Sequence, residues 1–203
     1  MGHALACLAT GGTVSGMTIV SDGGGHGGLT FCSGGIPFIY TQTGYLGAAF
    51  FGCLLIFLGR YRRLSKFVLG FMGLAICAAS VVFMSGTIFH GDLFQGIGSV
   101  VWGLIIGCGL IWSALKLNAG AANFILLFLA TQTALNSLTD VVLLIKLSLG
   151  MLGMSPSSDA GSMAQITFLP AAFWSILWGA ISIVMLSGTL WVCYGPRAGA
   201  RKV

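Results

Sequence analysis

Long apolar stretches separated by short polar breaks make up most of the chain. A helix needs about 20 mostly apolar residues, each adding about 1.5 Å of length, to cross the hydrocarbon core of a membrane. Five stretches are long enough, at roughly 37–59, 67–86, 97–115, 121–147 and 168–194. The pattern therefore predicts an all-α membrane protein, a multi-pass transmembrane helix bundle with five full spans.

The residues before the first span follow a different pattern. Residues 1–11 are apolar and helical in character, but they cover only about half of a span. Residues 12–35 are rich in glycine, with β-prone pieces at 13–20 and 29–32 on either side of a turn, which predicts a small β-hairpin. Lipid cannot satisfy the hydrogen-bonding groups of such a backbone. The hairpin is therefore expected to be re-entrant and to lie against protein or a wet cavity.

These segments together predict one integral membrane domain over residues 1–203. Its parts are a partial N-terminal helix at 1–11, the hairpin at 12–35 and the spans at 37–194. The composition agrees, because 57% of the residues are hydrophobic and only 6% are charged, with a mean hydropathy of +1.00. A soluble domain carries roughly 25% charged residues, so the composition excludes a soluble protein.

Most of the basic residues lie at the ends of the spans. They give a formal net charge of +5, but they form no basic face with stacking side chains, so nucleic acid is not expected as a partner. The positive-inside rule places them in the cytoplasm and the hairpin on the opposite side. The expected partners are membrane lipids. The positions in question are Arg60, Arg62, Arg63 and Lys66 after the first span, then Lys116, and Arg197, Arg201 and Lys202 at the end.

The six cysteines show no pattern of pairs. No two are spaced as CxxC, and all but Cys32 lie in apolar stretches, where a free cysteine acts as a small hydrophobic residue. Cys32 lies in a polar stretch and has no obvious partner. The sequence therefore predicts free thiols and no disulfide framework.

Asp140 lies well inside the fourth full span, where a carboxylate costs at least about 2.5 kcal/mol to insert. Pairing with Lys146 is disfavoured, because six residues turn a helix by about 600° and leave the two side chains about 120° apart around its axis. A polar stripe is expected instead, since Asp140 shares the i, i+3, i+4, i+7 spacing of one helical face with Thr133, Asn136 and Ser137. The stripe is expected to face the interior of the bundle. It favours a functional role for Asp140, and the alternative is a hydrogen-bonded packing role between helices.

His3 lies in a setting that points to a metal. Residues 2–6, Gly-His-Ala-Leu-Ala, and residues 10–12, Thr-Gly-Gly, resemble the segment that follows His-Glu in the HExxH helix of site-2-protease-like intramembrane zinc metallopeptidases. In that motif two histidines at i and i+4 bind Zn²⁺ from one helical face, and the glutamate is the base for the metal-bound water. The resemblance implies that His3 is a zinc ligand. It also implies that the chain begins inside its own motif, with Met1 an internal methionine, because the first histidine and the glutamate are absent.

The resemblance continues along nearly the whole chain and is to the bacterial and fungal branch of that family. The glycine-rich hairpin, residues 43–48 opening a span, and the basic turn that follows are similar to that branch. Residues 136–140 resemble the stretch in which an aspartate supplies the third zinc ligand, without the proline and the Asp-Gly pair of the wider family. The resemblance thus implies that Asp140 is the second metal ligand in this chain. Further similar positions are 158–160, Thr167, Pro170, Trp174 and Trp178.

The activity implied by the resemblance is zinc-dependent hydrolysis of peptide bonds in or beside the spans of a membrane-protein substrate. A helical substrate hides its peptide bonds, so it is expected to be unwound locally and held on a strand edge of the hairpin. The chain contains four acidic residues, all Asp, so it has no Glu base, and His3 and Asp140 alone leave the zinc short of ligands. These 203 residues are therefore expected to be inactive on their own.

Two other interpretations of the function stay open. One is a non-catalytic membrane protein, either a degenerate relative of the peptidases or a small transporter that uses Asp140 as a proton or cation site. The other is a purely structural scaffold in the membrane, which leaves the polar stripe without a purpose.

Five further titratable side chains have simpler interpretations. Asp22 and His26 lie in the glycine-rich turn, and His90 and Asp92 lie in a loop between spans, so all four are expected to be solvated. Asp159 is expected to be the N-cap of a short helix.

Overall fold

The computed structural model describes residues 2–18, 29–86, 93–149 and 158–196. Five of its helices are long and apolar enough to cross a membrane, which confirms the prediction of a multi-pass helical membrane protein. A π-helical turn, Ser80–Met84, continues the third helix and brings it to the length of a span. In chain order the helices are α1 (Gly2–Ala9), α2 (Pro37–Gly59), α3 (Ser65–Ala79), α4 (Leu93–Lys116), α5 (Ala119–Ser148), α6 (Asp159–Thr167) and α7 (Ala171–Tyr194), and the spans are α2 to α5 and α7.

The predicted hairpin is a two-stranded antiparallel sheet. β1 (Thr13–Thr18) pairs with β2 (Leu29–Ser33), with a bulge at Ser15. At the far end of β1, the buried hydroxyls of Thr18 and of Ser99 in α4 form a hydrogen bond of 3.0 Å. One strand of the hairpin therefore lies against protein, as a polar backbone at membrane depth requires.

A disulfide bond joins Cys7 in α1 to Cys32 in β2. The Cα atoms of the two residues are 6.3 Å apart although 25 positions separate them in the sequence. The prediction that Cys7 is a free thiol and that Cys32 lacks a partner was wrong. The pairing depends on the antiparallel return of β2, which brings Cys32 beside the helix that precedes the hairpin.

The described residues form two compact units. Unit 1 comprises residues 3–40 and 62–124, and unit 2 comprises residues 41–61 and 125–196 together with Gly2. The single-domain boundary of 1–203 stays a prediction. The core of unit 1 joins α1, β1, the end of α3 and the π-helical turn through the buried side chains of Ala4, Met17, Ala79 and Met84.

Helices α3 and α4 of unit 1 approach each other closely at two glycines. A Cβ atom added at Gly73 would lie 2.7 Å from the Gly107 carbonyl oxygen and 2.7 Å from Ile111. A Cβ at Gly107 would lie 2.9 Å from the Gly73 carbonyl oxygen. Backbones at this distance exclude any larger residue, which is the usual role of small residues between membrane helices.

Gly73→Ala is expected to lower the stability of unit 1 by about 1 to 3 kcal/mol, because its methyl group would push the two backbones apart. Thermal unfolding in detergent measures the change. Gly109→Ala is the matched control, since a Cβ there meets nothing within 4 Å. Equal melting temperatures for the two variants would contradict the close approach of α3 and α4.

The core of unit 2 is built around Trp178, which is fully buried. Its ring stacks on Tyr45 of α2 with centroids 5.5 Å apart, and Trp174 lies 6.2 Å away. Helix α6 closes this cluster with Ala160 and Met163. Trp178 therefore links the first and last spans of the chain within unit 2.

Helix α6 begins one residue earlier than the sequence suggested. Ser158, in an extended conformation, is the N-cap, and its hydroxyl accepts a hydrogen bond of 3.1 Å from the Gly161 N–H. The prediction of Asp159 as the cap was wrong. Asp159 instead lies in the first turn, where a carboxylate is favoured by the positive end of the helix dipole.

Candidate functional site

His3 is held by a hydrogen bond to the start of the first span. Its Nδ1 atom lies 2.6 Å from the Tyr40 carbonyl oxygen, and both residues belong to unit 1. A carbonyl can only accept, so Nδ1 carries the proton and the lone pair of the ring is on Nε2. This is the tautomer in which metal-binding histidines are commonly fixed, with one ring nitrogen donating to a carbonyl and the other facing the metal.

Gly2, immediately before His3, lies against the backbone of α2. A Cβ atom added at Gly2 would overlap the carbonyl oxygen of Thr43, and Gly47 is also close. The Gly-His pair thus has two distinct tasks. The glycine permits close approach to α2, and the histidine makes the directed hydrogen bond.

The Thr-Gly-Gly segment after α1 forms the corner between the helix and the hairpin. The Thr10 hydroxyl donates to the Ala6 carbonyl at 2.8 Å and accepts from the Ile36 N–H at 3.2 Å. Gly11 has a φ of 82°, in the region that favours glycine. A Cβ at Gly12 would lie 2.7 Å from the Cys7 sulfur. The segment that resembles the peptidase family therefore has a structural role of its own, which is to seat the hairpin against α1.

Asp140 lies on α5, but the polar stripe does not coincide with the buried face of that helix. Asn136 and Asp140 are exposed, Thr133 is half-buried, and only Ser137 is fully buried. The prediction that the whole stripe faces the interior was wrong for Asn136 and Asp140. The buried residues of this part of α5 are Ala130, Ala134, Ser137, Val141 and Leu144.

Helical geometry explains this difference. At about 100° per residue, the centre of the buried face is roughly 70° around the helix axis from the centre of the polar stripe. The two faces overlap at Ser137 and diverge at Asn136. Sequence spacing shows which residues share a face of the helix. Which face packs against another helix depends on small residues such as Ala134, which lies close to Gly52 of α2.

Tyr45 of α2 is within electrostatic range of two carboxylates of unit 2, Asp159 and Asp140. In the sequence, Tyr45 is one residue of the segment that is similar to the peptidase branch, and nothing there indicates this grouping. Three separate elements, α2, α5 and α6, supply the three side chains, so no local spacing reveals it.

The structure does not describe every candidate residue named from the sequence. Asp22, His26, His90 and Asp92 lie outside the described residues. His3 belongs to unit 1 and Asp140 to unit 2. Among the described residues, no group of three or more His, Cys, Asp or Glu side chains lies close enough together to hold a metal ion.

Comparison with known proteins identifies a family. A family model described as Peptidase M50B-like matches residues 1–189, which include both His3 and Asp140. No curated protein and no solved structure matches the chain.

Proposed function

This chain belongs to the Peptidase M50B-like family, and from that membership we propose that it contributes His3 and Asp140 as ligands to an intramembrane zinc site of the peptidase type. The members of this family are generally zinc metalloproteases. The proposed activity of the complete site is hydrolysis of peptide bonds in or near the spans of membrane-protein substrates. Zinc in such a site supplies Lewis-acid activation of water.

The observation that carries the proposal is the hydrogen bond from His3 to the Tyr40 carbonyl. It orients the ring and keeps the lone pair on Nε2, as a metal ligand requires. Gly2 supports the same arrangement, because it lets this turn of α1 reach the backbone of α2.

The proposal that Asp140 is a zinc ligand is supported by its position within a span and by its chemistry. It is the one acidic residue within the five described spans, and a charged side chain at that depth is costly unless function retains it. Carboxylates and imidazoles are both regular zinc ligands. Tyr45 is within electrostatic range of Asp140, so a second polar group lies in the same part of unit 2.

The residues of this chain do not complete a catalytic zinc site by themselves. A catalytic zinc takes three protein ligands and leaves one position for water, whereas His3 and Asp140 are two ligands. The chain has no Glu to act as base. These 203 residues alone are therefore proposed to lack peptidase activity.

The hairpin is the proposed place for an extended substrate. β1 packs against α4 and the π-helical turn, whereas β2 pairs only with β1 in the described part of the chain. Phe31 and Ser33 on β2 are exposed. A substrate segment could add to this edge as a third strand, which exposes the peptide bonds that a helix hides.

Zinc content tests the assignment of both ligands. The purified 203-residue chain is expected to hold zinc well below one ion per chain, by elemental analysis. A version extended at its N-terminus by a short helix ending in His-Glu is expected to hold about one zinc ion, because His-Glu-Met-Gly-His then places two histidines at i and i+4.

Substitutions in the extended version identify the ligands. His3→Ala and Asp140→Asn are each expected to remove most of the zinc, whereas Asp159→Asn, which changes the other carboxylate near Tyr45, is expected to leave it unchanged. Thermal unfolding of each variant separates metal loss from misfolding. Full zinc content in a well-folded Asp140→Asn protein would overturn the assignment.

A non-catalytic membrane protein is the second candidate. The exposure of Asp140 on α5 favours it. In that case Asp140→Asn would abolish transport of protons or cations, or assembly with other spans, in reconstituted vesicles. The extended version would then bind no zinc.

A further inference from the structure

An open apolar groove runs between α2 and α7 within unit 2. Its volume is about 410 Å³. Phe50, Leu54 and Phe57 form one wall with helical spacing along α2. Val184, Gly188 and Val192 form the other wall along α7. The groove therefore follows both helices and opens to the surroundings of the protein.

Gly188 borders open space in this groove. A Cβ atom added there meets nothing within 4 Å, so the glycine is not needed for helix packing. The hydroxyl of Thr189, the most polar lining residue, already donates to the Met185 carbonyl at 2.8 Å. The walls therefore offer an apolar surface with no polar group that needs a partner.

A basic side chain lies at one end of the groove. Arg60 follows α2 directly, and its guanidinium donates to the Val192 carbonyl at 3.1 Å. Guanidinium has five N–H donors, so this bond uses only one of them. Tyr61, which packs edge-on against Phe57, is exposed at the same end. An arginine beside a tyrosine at the end of a span is typical of the headgroup level of a membrane.

We propose that this groove binds one anionic phospholipid of the cytoplasmic leaflet, with an acyl chain along the walls and the phosphate on Arg60. The charge of the surrounding sequence fits, because Arg62, Arg63 and Lys66 follow Arg60 and Arg197 follows α7. Clusters of basic residues next to a membrane span in the sequence are typical of segments that attract anionic lipid headgroups.

The length of the groove favours a lipid over a partner helix. Phe50 and Phe57 are seven residues apart, a rise of about 10 Å along α2. One leaflet contributes half of the hydrocarbon core of about 30 Å, so the groove matches a single acyl chain. A transmembrane helix of a substrate or of a second copy would need contacts across both leaflets.

Native mass spectrometry with added phosphatidylglycerol or phosphatidylcholine tests the proposal. The chain is expected to retain one phosphatidylglycerol, with a preference of about fivefold over phosphatidylcholine, as one basic contact provides. Gly188→Leu fills the groove and is expected to lower retention of both lipids about fivefold or more. Arg60→Gln is expected to remove the preference and keep the binding of phosphatidylcholine.

Two control variants match these changes. Gly109→Leu adds the same side chain at an exposed helical glycine of unit 1, and Lys146→Gln removes one positive charge from the last turn of α5, outside the basic loop. Both are expected to change lipid retention by less than about twofold. Melting temperatures in phosphatidylcholine confirm that every variant is folded.

Three results would overturn the proposal. Equal retention of the two lipids by the unmodified chain would show that Arg60 makes no selective contact with the anionic headgroup. Unchanged retention in Gly188→Leu would place the lipid elsewhere. A loss of dimers in Gly188→Leu, seen by size-exclusion chromatography, would assign the groove to a second copy of the chain.

Discussion

Replacing both Cys7 and Cys32 with alanine is expected to lower the free energy of unfolding by about 3 to 4 kcal/mol. The disulfide closes a loop across 25 positions, and cross-links of that size remove conformational freedom from the unfolded chain by about this amount. The loss should concentrate in α1 and the hairpin, the two elements that the bond joins. Unfolding in a denaturing detergent, followed by circular dichroism, measures it.

Cysteine alkylation gives an independent test of the bond itself. The unreduced, denatured chain is expected to take up four alkyl groups, at Cys53, Cys77, Cys108 and Cys193. After reduction it should take up six, the full number of cysteines. Cys108→Ala is the matched control for stability, because this free thiol is exposed. Six alkyl groups without reductant would show that Cys7 and Cys32 are not bonded.

Trp178→Ala is expected to destabilise unit 2 by about 3 to 5 kcal/mol, the usual cost of removing a large buried aromatic side chain. Trp178 is fully buried and stacks on Tyr45, so the substitution leaves a cavity between α2 and α7. Thermal unfolding in detergent measures the effect. Trp178→Phe should recover part of the stability because it keeps an aromatic ring beside Tyr45.

Trp191→Ala is the matched control in the same helix. Trp191 is 68% exposed, and a substitution at such a position is expected to change stability by less than about 0.5 kcal/mol. Similar losses for the two tryptophans would contradict the central place of Trp178 in the unit 2 core.

The spans were predictable because membrane thickness fixes their length. The first span, predicted at 37–59, agrees with Pro37–Gly59. The last span, predicted from 168, begins instead at Ala171. Phe168 takes a left-handed conformation with a φ of 59°, and Pro170 is the N-cap of α7. Local backbone geometry therefore sets the start of α7, whereas hydrophobicity alone predicted a helix that begins three residues too early.

The candidate site was less predictable, since it depends on contacts between distant elements. The motif around His3 predicted a zinc ligand, which stays a prediction, and the hydrogen bond that orients this residue joins it to Tyr40, 37 residues away. The grouping of Tyr45, Asp140 and Asp159 joins three helices. The helical period of α5 predicted which residues share the polar stripe. It did not predict that α5 packs through Ala134 and its neighbours, which leaves Asp140 exposed.

The bond between Cys7 and Cys32 has a consequence for how the protein is made. Cytosolic thiols are kept reduced, whereas disulfides persist in the lumen of the endoplasmic reticulum, the periplasm or the cell exterior. The end of α1 and strand β2 are therefore expected on the oxidising side of the membrane, and one crossing by α2 then predicts the basic loop at 60–66 on the reducing side. With that orientation, translocation of β2 is expected to precede closure of the cross-link by an oxidoreductase.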